Sequence, residues 1–135
     1  MNRDWAFYHQ PENRQVANFI VKTSKQNKSD VILGLDFHST QRDIFYTFDE
    51  SLVAEELPYF NDYWVPAVND ALEIKTPEGA YGLNQPITKT WFVTQFGAAS
   101  ITYEVGDHTP RDFVVRKGKV AAQEMMKLLI FKDDD

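Results

Sequence analysis

The sequence predicts an α/β fold, and three observations carry that expectation. The run Val31-Ile32-Leu33-Gly34-Leu35-Asp36-Phe37 has the length and apolar continuity of a strand buried on both faces, the pattern of a parallel sheet. Helical periodicity lies on both sides of it, near the start of the chain and again at its end. A late run, Ala99-Ser100-Ile101-Thr102-Tyr103-Glu104-Val105, is rich in β-branched and aromatic residues and reads as a further strand.

Taken in order, Pro11 and Glu12 suit a first helical turn, and Val16, Phe19, Ile20 and Thr23 then recur at helical spacing, predicting a helix over residues 11–26. Lys25 to Asp30 ends it in polar residues ahead of the apolar run. Arg42 to Phe48 holds Ile44, Phe45, Tyr46 and Phe48 and predicts a second strand or extended segment. From Ser51 to Ile74, Val53, Phe60, Trp64, Val68, Ala71 and Leu72 share a helical face interrupted by Pro58 and Pro66, which predicts a broken or kinked helix. Lys75 to Pro86 reads as a loop, with Tyr81 between Ala80 and Gly82, and Ile87 to Thr94 as another extended stretch. Gly106-Asp107 turns the chain. Thr109, Pro110 and Asp112 then open a last helix whose face is carried by Val114, Ala121, Met125, Leu128 and Leu129. No repeat or linker interrupts the chain, so one domain spans residues 1–135, with Asp133 to Asp135 as a solvated tail.

Composition narrows the function. With 135 residues, the chain is long enough to bury a core, and 43% hydrophobic content excludes a mainly disordered chain. Fourteen basic against twenty acidic residues leave a net charge of −6, which cannot neutralise a row of phosphates, so nucleic acid is not an expected partner. No apolar stretch approaches the roughly 20 residues of a membrane span, so no membrane partner is expected either. There is no cysteine, so any metal must be held by His, Asp or Glu.

Three places could carry chemistry. His38 closes the apolar strand, and the carboxyl ends of strands in open α/β sheets are where ligands bind; a core histidine bonded to backbone is the alternative. Glu104 lies within an apolar strand, where a buried carboxylate needs a partner or a task, unless it shares an outward face with Thr102. Asn2 and Arg3 pair an amide with a guanidinium, a combination suited to a carboxylate only if the local backbone is ordered.

The order Asn2-Arg3-Asp4-Trp5, Gln10-Pro11-Glu12, Leu35-Asp36-Phe37-His38-Ser39 and Thr102-Tyr103-Glu104-Val105 resembles the zinc metallocarboxypeptidases of the carboxypeptidase A and B type, across nearly all of the chain. The resemblance implies a mixed, largely parallel sheet flanked by helices, a partial zinc-carboxypeptidase fold. It makes His38 a zinc ligand and Glu104 the carboxylate that takes and returns a proton. Asn2 and Arg3 would hold the free C-terminal carboxylate of a peptide substrate, and Tyr81 would be the mobile aromatic that closes over it. Lys89 would lie near the base of the side-chain pocket, favouring acidic C-terminal residues, or else be a solvated loop residue.

The family's other zinc ligands, a His-x-x-Glu, lie before the Asn-Arg pair, which here begins at residue 2. The chain therefore resembles the C-terminal half of the catalytic domain, inactive by itself, with further zinc ligands expected from a missing upstream segment and its compartment left open. His9 and Glu12 mimic the lost motif, but Pro11-Glu12 is explained by a helix start, and His9 stands too near His38 for the family's order. His108 reads as a surface or capping residue. A half domain is expected to self-associate or pair with the missing N-terminal half. An aspartoacylase-type zinc deacylase and a non-catalytic carboxylate- or partner-binding domain are the competing functions.

Overall fold

The computed structural model describes residues 3–48, 52–53, 57, 59–80, 82 and 84–130. The elements run α1 (Pro11–Asn27), β1 (Leu33–Thr40), β2 (Ile44–Thr47), α2 (Phe60–Leu72), β3 (Glu78–Ala80), α3 (Thr88–Phe96), β4 (Ala99–Gly106) and α4 (Arg111–Ile130). The four strands form one sheet in the order β1-β4-β2-β3. The pairs β1·β4 and β2·β3 are parallel and β2·β4 is antiparallel, so the sheet is mixed and mostly parallel, with helices on both faces.

One face is the main core. Phe45, Ile101 and Tyr103 point from the sheet toward Trp64, Val65, Val68 and Leu72 of α2 and Ala121 of α4, all nearly fully buried. The Phe45 and Tyr103 rings lie 4.2 Å apart, and Trp64 meets both edge-on at 5.5 Å and 6.4 Å. Trp64 Nε1–H donates to the Ala121 carbonyl at 3.0 Å, which satisfies the indole and fastens α2 to α4. Pro66 lies exposed within α2, which runs to Leu72; the expected helix over Ser51 to Ile74 is present from Phe60 onward.

The other face carries α3, and here the expected extended stretch from Ile87 to Thr94 is overturned. The segment is helical from Thr88 to Phe96 and stops at Gly97, whose φ of 66° lets its N–H return to the Val93 carbonyl at 2.8 Å. Its residues are covered on several sides: Phe92 sits against Gly34, where a Cβ would collide with the ring, while Trp91 packs on Trp5 and donates to the Tyr8 hydroxyl at 2.7 Å. A short helix clothed almost all round shows no amphipathic period, and its β-branched and aromatic residues then resemble a strand.

Two further expectations change. β1 is an edge strand rather than one buried on both faces: Gly34 alone in it is buried, and Phe37 stands 54% exposed. The loop from Lys75 to Pro86 contains the short strand β3. In α1, Asn13 and Ala17 are buried, while Val16 and Phe19, whose spacing predicts the helix, are exposed. Among the described residues, no helix is long and apolar enough to cross a membrane.

Candidate functional site

The site follows from register. In the parallel pair β1·β4, Asp36 stands beside Thr102 and His38 beside Glu104. Because side chains alternate along a strand, Gly34, Asp36 and His38 of β1 share one face with Ser100, Thr102 and Glu104 of β4. That is the α3 face, opposite the aromatic core. His38 and Glu104 lie toward the carboxyl ends of both strands, the end at which parallel α/β sheets present ligand sites.

His38 is partly buried, and its Nε2 lies 2.9 Å from Asp36 Oδ2. The two residues are separated by one position, so the strand itself places them side by side. Glu104 is half-buried and its Oε2 lacks a hydrogen-bond partner, which excludes the solvated outward carboxylate as a description. Burial pushes its pKa up, the neighbouring His38 opposes that rise, and the charges of Asp36 and Asp107 add to it.

The strand end that carries Glu104 is pinned from below. Asp43, in the turn between β1 and β2, accepts the Gly106 N–H at 2.6 Å through one oxygen and pairs with Lys117 of α4 through the other. Lys117 is nearly fully buried and lies 5.1 Å from the centre of the Phe113 ring. A cleft of about 350 Å³ opens at the same end, lined by Phe37, His38, Tyr103, Val105, Val114 and Lys117 among others.

Lys89 is no loop residue. It lies on α3 with no exposed surface, donates to the Thr47 carbonyl at 3.0 Å and sits 4.6 Å from the Phe48 ring centre. Burial lowers its pKa to about 8. It approaches the same sheet face as Glu104, but from the Thr47 end of β2, whereas Glu104 is the register partner of Ile44 at the other end.

Arg3 is exposed and precedes a well-anchored stretch. Asp4 is buried and accepts the N–H groups of Gln10 at 2.7 Å and His9 at 3.0 Å; these bonds, Gln10 first, hold its carboxyl below the usual range. Trp5 N–H donates to the Pro86 carbonyl at 2.9 Å, tying this stretch to the approach to α3. Asn2 and Tyr81 lie outside the described residues. The His9 side chain is 78% exposed and leans toward Asp4, and His108 is exposed in the turn after β4.

A metal site needs several donors. Among the described residues, no group of three His, Asp or Glu side chains could hold an ion. His38 and the unpartnered Glu104 oxygen suit the edge of such a site, one nitrogen donor and one nearby base, but they do not complete it. Sequence reasoning missed Asp36 as a member of this cluster; the signal was its position two before His38 on a strand, which puts both on one face.

No protein-family model matches the sequence, and no curated protein matches it. Among solved structures, the metallo-carboxypeptidase from Burkholderia cenocepacia aligns with 98% of this chain at a TM-score of 0.54 and 16% identity. The two share a fold. The chain covers 38% of the length of that carboxypeptidase.

Proposed function

We propose that this chain is part of the catalytic domain of a zinc-dependent metallocarboxypeptidase, which removes residues from the C-termini of peptides. The observation that carries the reading is the register pairing of His38 with Glu104 on one face, at the carboxyl ends of two parallel strands. The fold shared with a metallo-carboxypeptidase supports it.

In this reading His38 contributes one zinc ligand, and the remaining ligands come from polypeptide outside this chain, which would extend the sheet along the free edge of β1. Zinc would supply Lewis acidity toward the scissile carbonyl and toward water. Glu104, its proton affinity raised by burial, takes a proton from the attacking water and returns it to the leaving amine. Arg3, with Asn2, holds the substrate's terminal carboxylate by charge-assisted hydrogen bonds, which places the last peptide bond for attack. Tyr81 closes over the bound residue. Lys89, buried on the same sheet face with its ammonium on the Thr47 carbonyl, would act on the side-chain pocket only through its charge, which favours acidic C-terminal residues.

The test is hydrolysis of C-terminally blocked and free peptides by a polypeptide that joins this chain to the sequence encoded upstream of it. Release of C-terminal residues from free peptides only, falling by roughly 10²- to 10⁴-fold in Glu104→Gln, is the expected result. Undiminished turnover in that variant, or activity confined to N-acyl amino acids, overturns the reading.

A further inference from the structure

Arg3 leads into a turn that is fastened to the helix carrying Lys89, and the proposed reaction assigns that fastening no role. We infer that Tyr8 and Trp91 are positioning residues for the substrate's last residue: the bond between phenol and indole fixes the segment of Arg3, which takes the terminal carboxylate, against α3, which carries the pocket lysine. The inference rests on the reading of Arg3 and Lys89 as substrate-binding residues.

The geometry carries it. Trp91 Nε1–H donates to the Tyr8 hydroxyl at 2.7 Å from a buried indole, a bond between residues 83 positions apart. Trp91 stands two positions after Lys89 on α3, so the bond reaches the helix that bears the pocket charge. The turn behind Tyr8 is closed on itself. Its N–H returns to the Asp4 carbonyl at 3.1 Å, while the Asp4 carboxylate accepts the N–H groups of His9 and Gln10. Trp5, in the same turn, packs on the Trp91 ring at 5.0 Å and donates its N–H to the Pro86 carbonyl. Tyr8 also holds a φ of 53°, a left-handed conformation that costs a residue with a Cβ energy and persists where its surroundings hold it. The turn that follows Arg3 and the helix of Lys89 therefore form one unit, and that unit reads the terminal carboxylate and the side chain of the same substrate residue. Slack between them loosens the grip on that residue without touching the reacting groups.

The experiment combines nitrogen–proton NMR with steady-state kinetics on the polypeptide that joins this chain to its upstream sequence, using a peptide that ends in a free glutamate. The variants are Tyr8→Phe, which keeps the ring and removes the acceptor, Trp91→Phe, the double variant, and Arg3→Ala as a reference. The Trp91 indole N–H resonance, assigned from Trp91→Phe, should move in Tyr8→Phe. In that variant KM should rise by up to about 10-fold with kcat little changed, the pattern of lost binding rather than lost chemistry. The double variant should be no worse than Trp91→Phe, because the two side chains share one bond. The amide spectrum reports folding, and Tyr8→Phe alone carries the kinetic test if Trp91→Phe does not fold. An unmoved indole resonance, or an unchanged KM in Tyr8→Phe while Arg3→Ala raises it, overturns the positioning role and leaves the proposed function standing. An unchanged KM in Arg3→Ala overturns Arg3 as the carboxylate holder, and the inference falls with it.

Discussion

His38 and Glu104 stand side by side on adjacent parallel strands, and their side chains leave the sheet on the same face although about half of the chain separates them in sequence. Parallel pairing requires a long crossover, here one that runs through β2, α2, β3 and α3 before the chain returns as β4. The juxtaposition is therefore a product of the whole fold, and what stabilises β4 in register also stabilises the site.

The contact that should matter most to that register is Asp43 with Lys117. Asp43→Ala would leave a nearly fully buried ammonium without its carboxylate and free the Gly106 N–H, destabilising the chain by about 3–5 kcal/mol. Replacing Lys117 by Met in the same background should recover much of the loss. Urea denaturation of both single variants and the double variant measures this coupling; strictly additive effects would mean that the pair is not a unit.

Lys89 makes stability depend on alkaline pH. Its folded pKa of about 8 lies below the ordinary 10.5, so the fold binds fewer protons than the unfolded chain between those values. The stability of the wild type relative to Lys89→Met should be highest above 10.5 and should fall by about 3 kcal/mol as pH drops through about 8. Chemical denaturation of the two proteins across that range gives the difference curve, and a flat curve would contradict the burial of the amine.

Glu104 has the opposite dependence. Its raised pKa means that the fold favours the protonated acid, so its contribution is present below the ordinary 4.5 and is lost as pH rises through the raised value. Glu104→Gln should remove this loss and be the more stable protein at neutral pH, as expected where a carboxylate is retained for chemistry. Thermal melts of both proteins at acid and neutral pH test it; a variant destabilised at neutral pH would show that the carboxylate is a structural anchor.

Gly34→Ala should cost about 1–3 kcal/mol, because the added methyl meets the Phe92 ring where α3 rests on β1. Phe92→Leu in the same chain should relieve part of the cost, as read by urea denaturation. A neutral Gly34→Ala would mean that α3 does not approach the strand this closely.

How far the molecule was legible in its sequence differs by element. β4 and α4 were read correctly because each has one dominant period and clear punctuation, Gly106-Asp107 between them. α3 was misread because Trp91 and Phe92 pack on opposite neighbours, which erases the one-sided pattern that identifies a helix. β3 is too short for any period to register. The closing His38 and the acid in β4 could be singled out by chemistry, but spacing along the chain says nothing about register between strands, and their pairing needed coordinates. Lys89 was placed beside the pocket by resemblance alone; nothing local distinguishes a buried lysine on a helix from a solvated one. The Asp43 and Lys117 pair was invisible, since two charges 74 positions apart carry no mutual signal.

The most direct measurement is anomalous diffraction at the zinc edge from crystals, grown with zinc, of a polypeptide that joins this chain to the sequence encoded upstream of it, alongside crystals of its His38→Ala variant. The account predicts a zinc peak beside the His38 ring, on the sheet face that carries Glu104, and a lost or much weakened peak there in the variant. Zinc bound elsewhere with His38 bare, or an equal peak in both crystals, would contradict it.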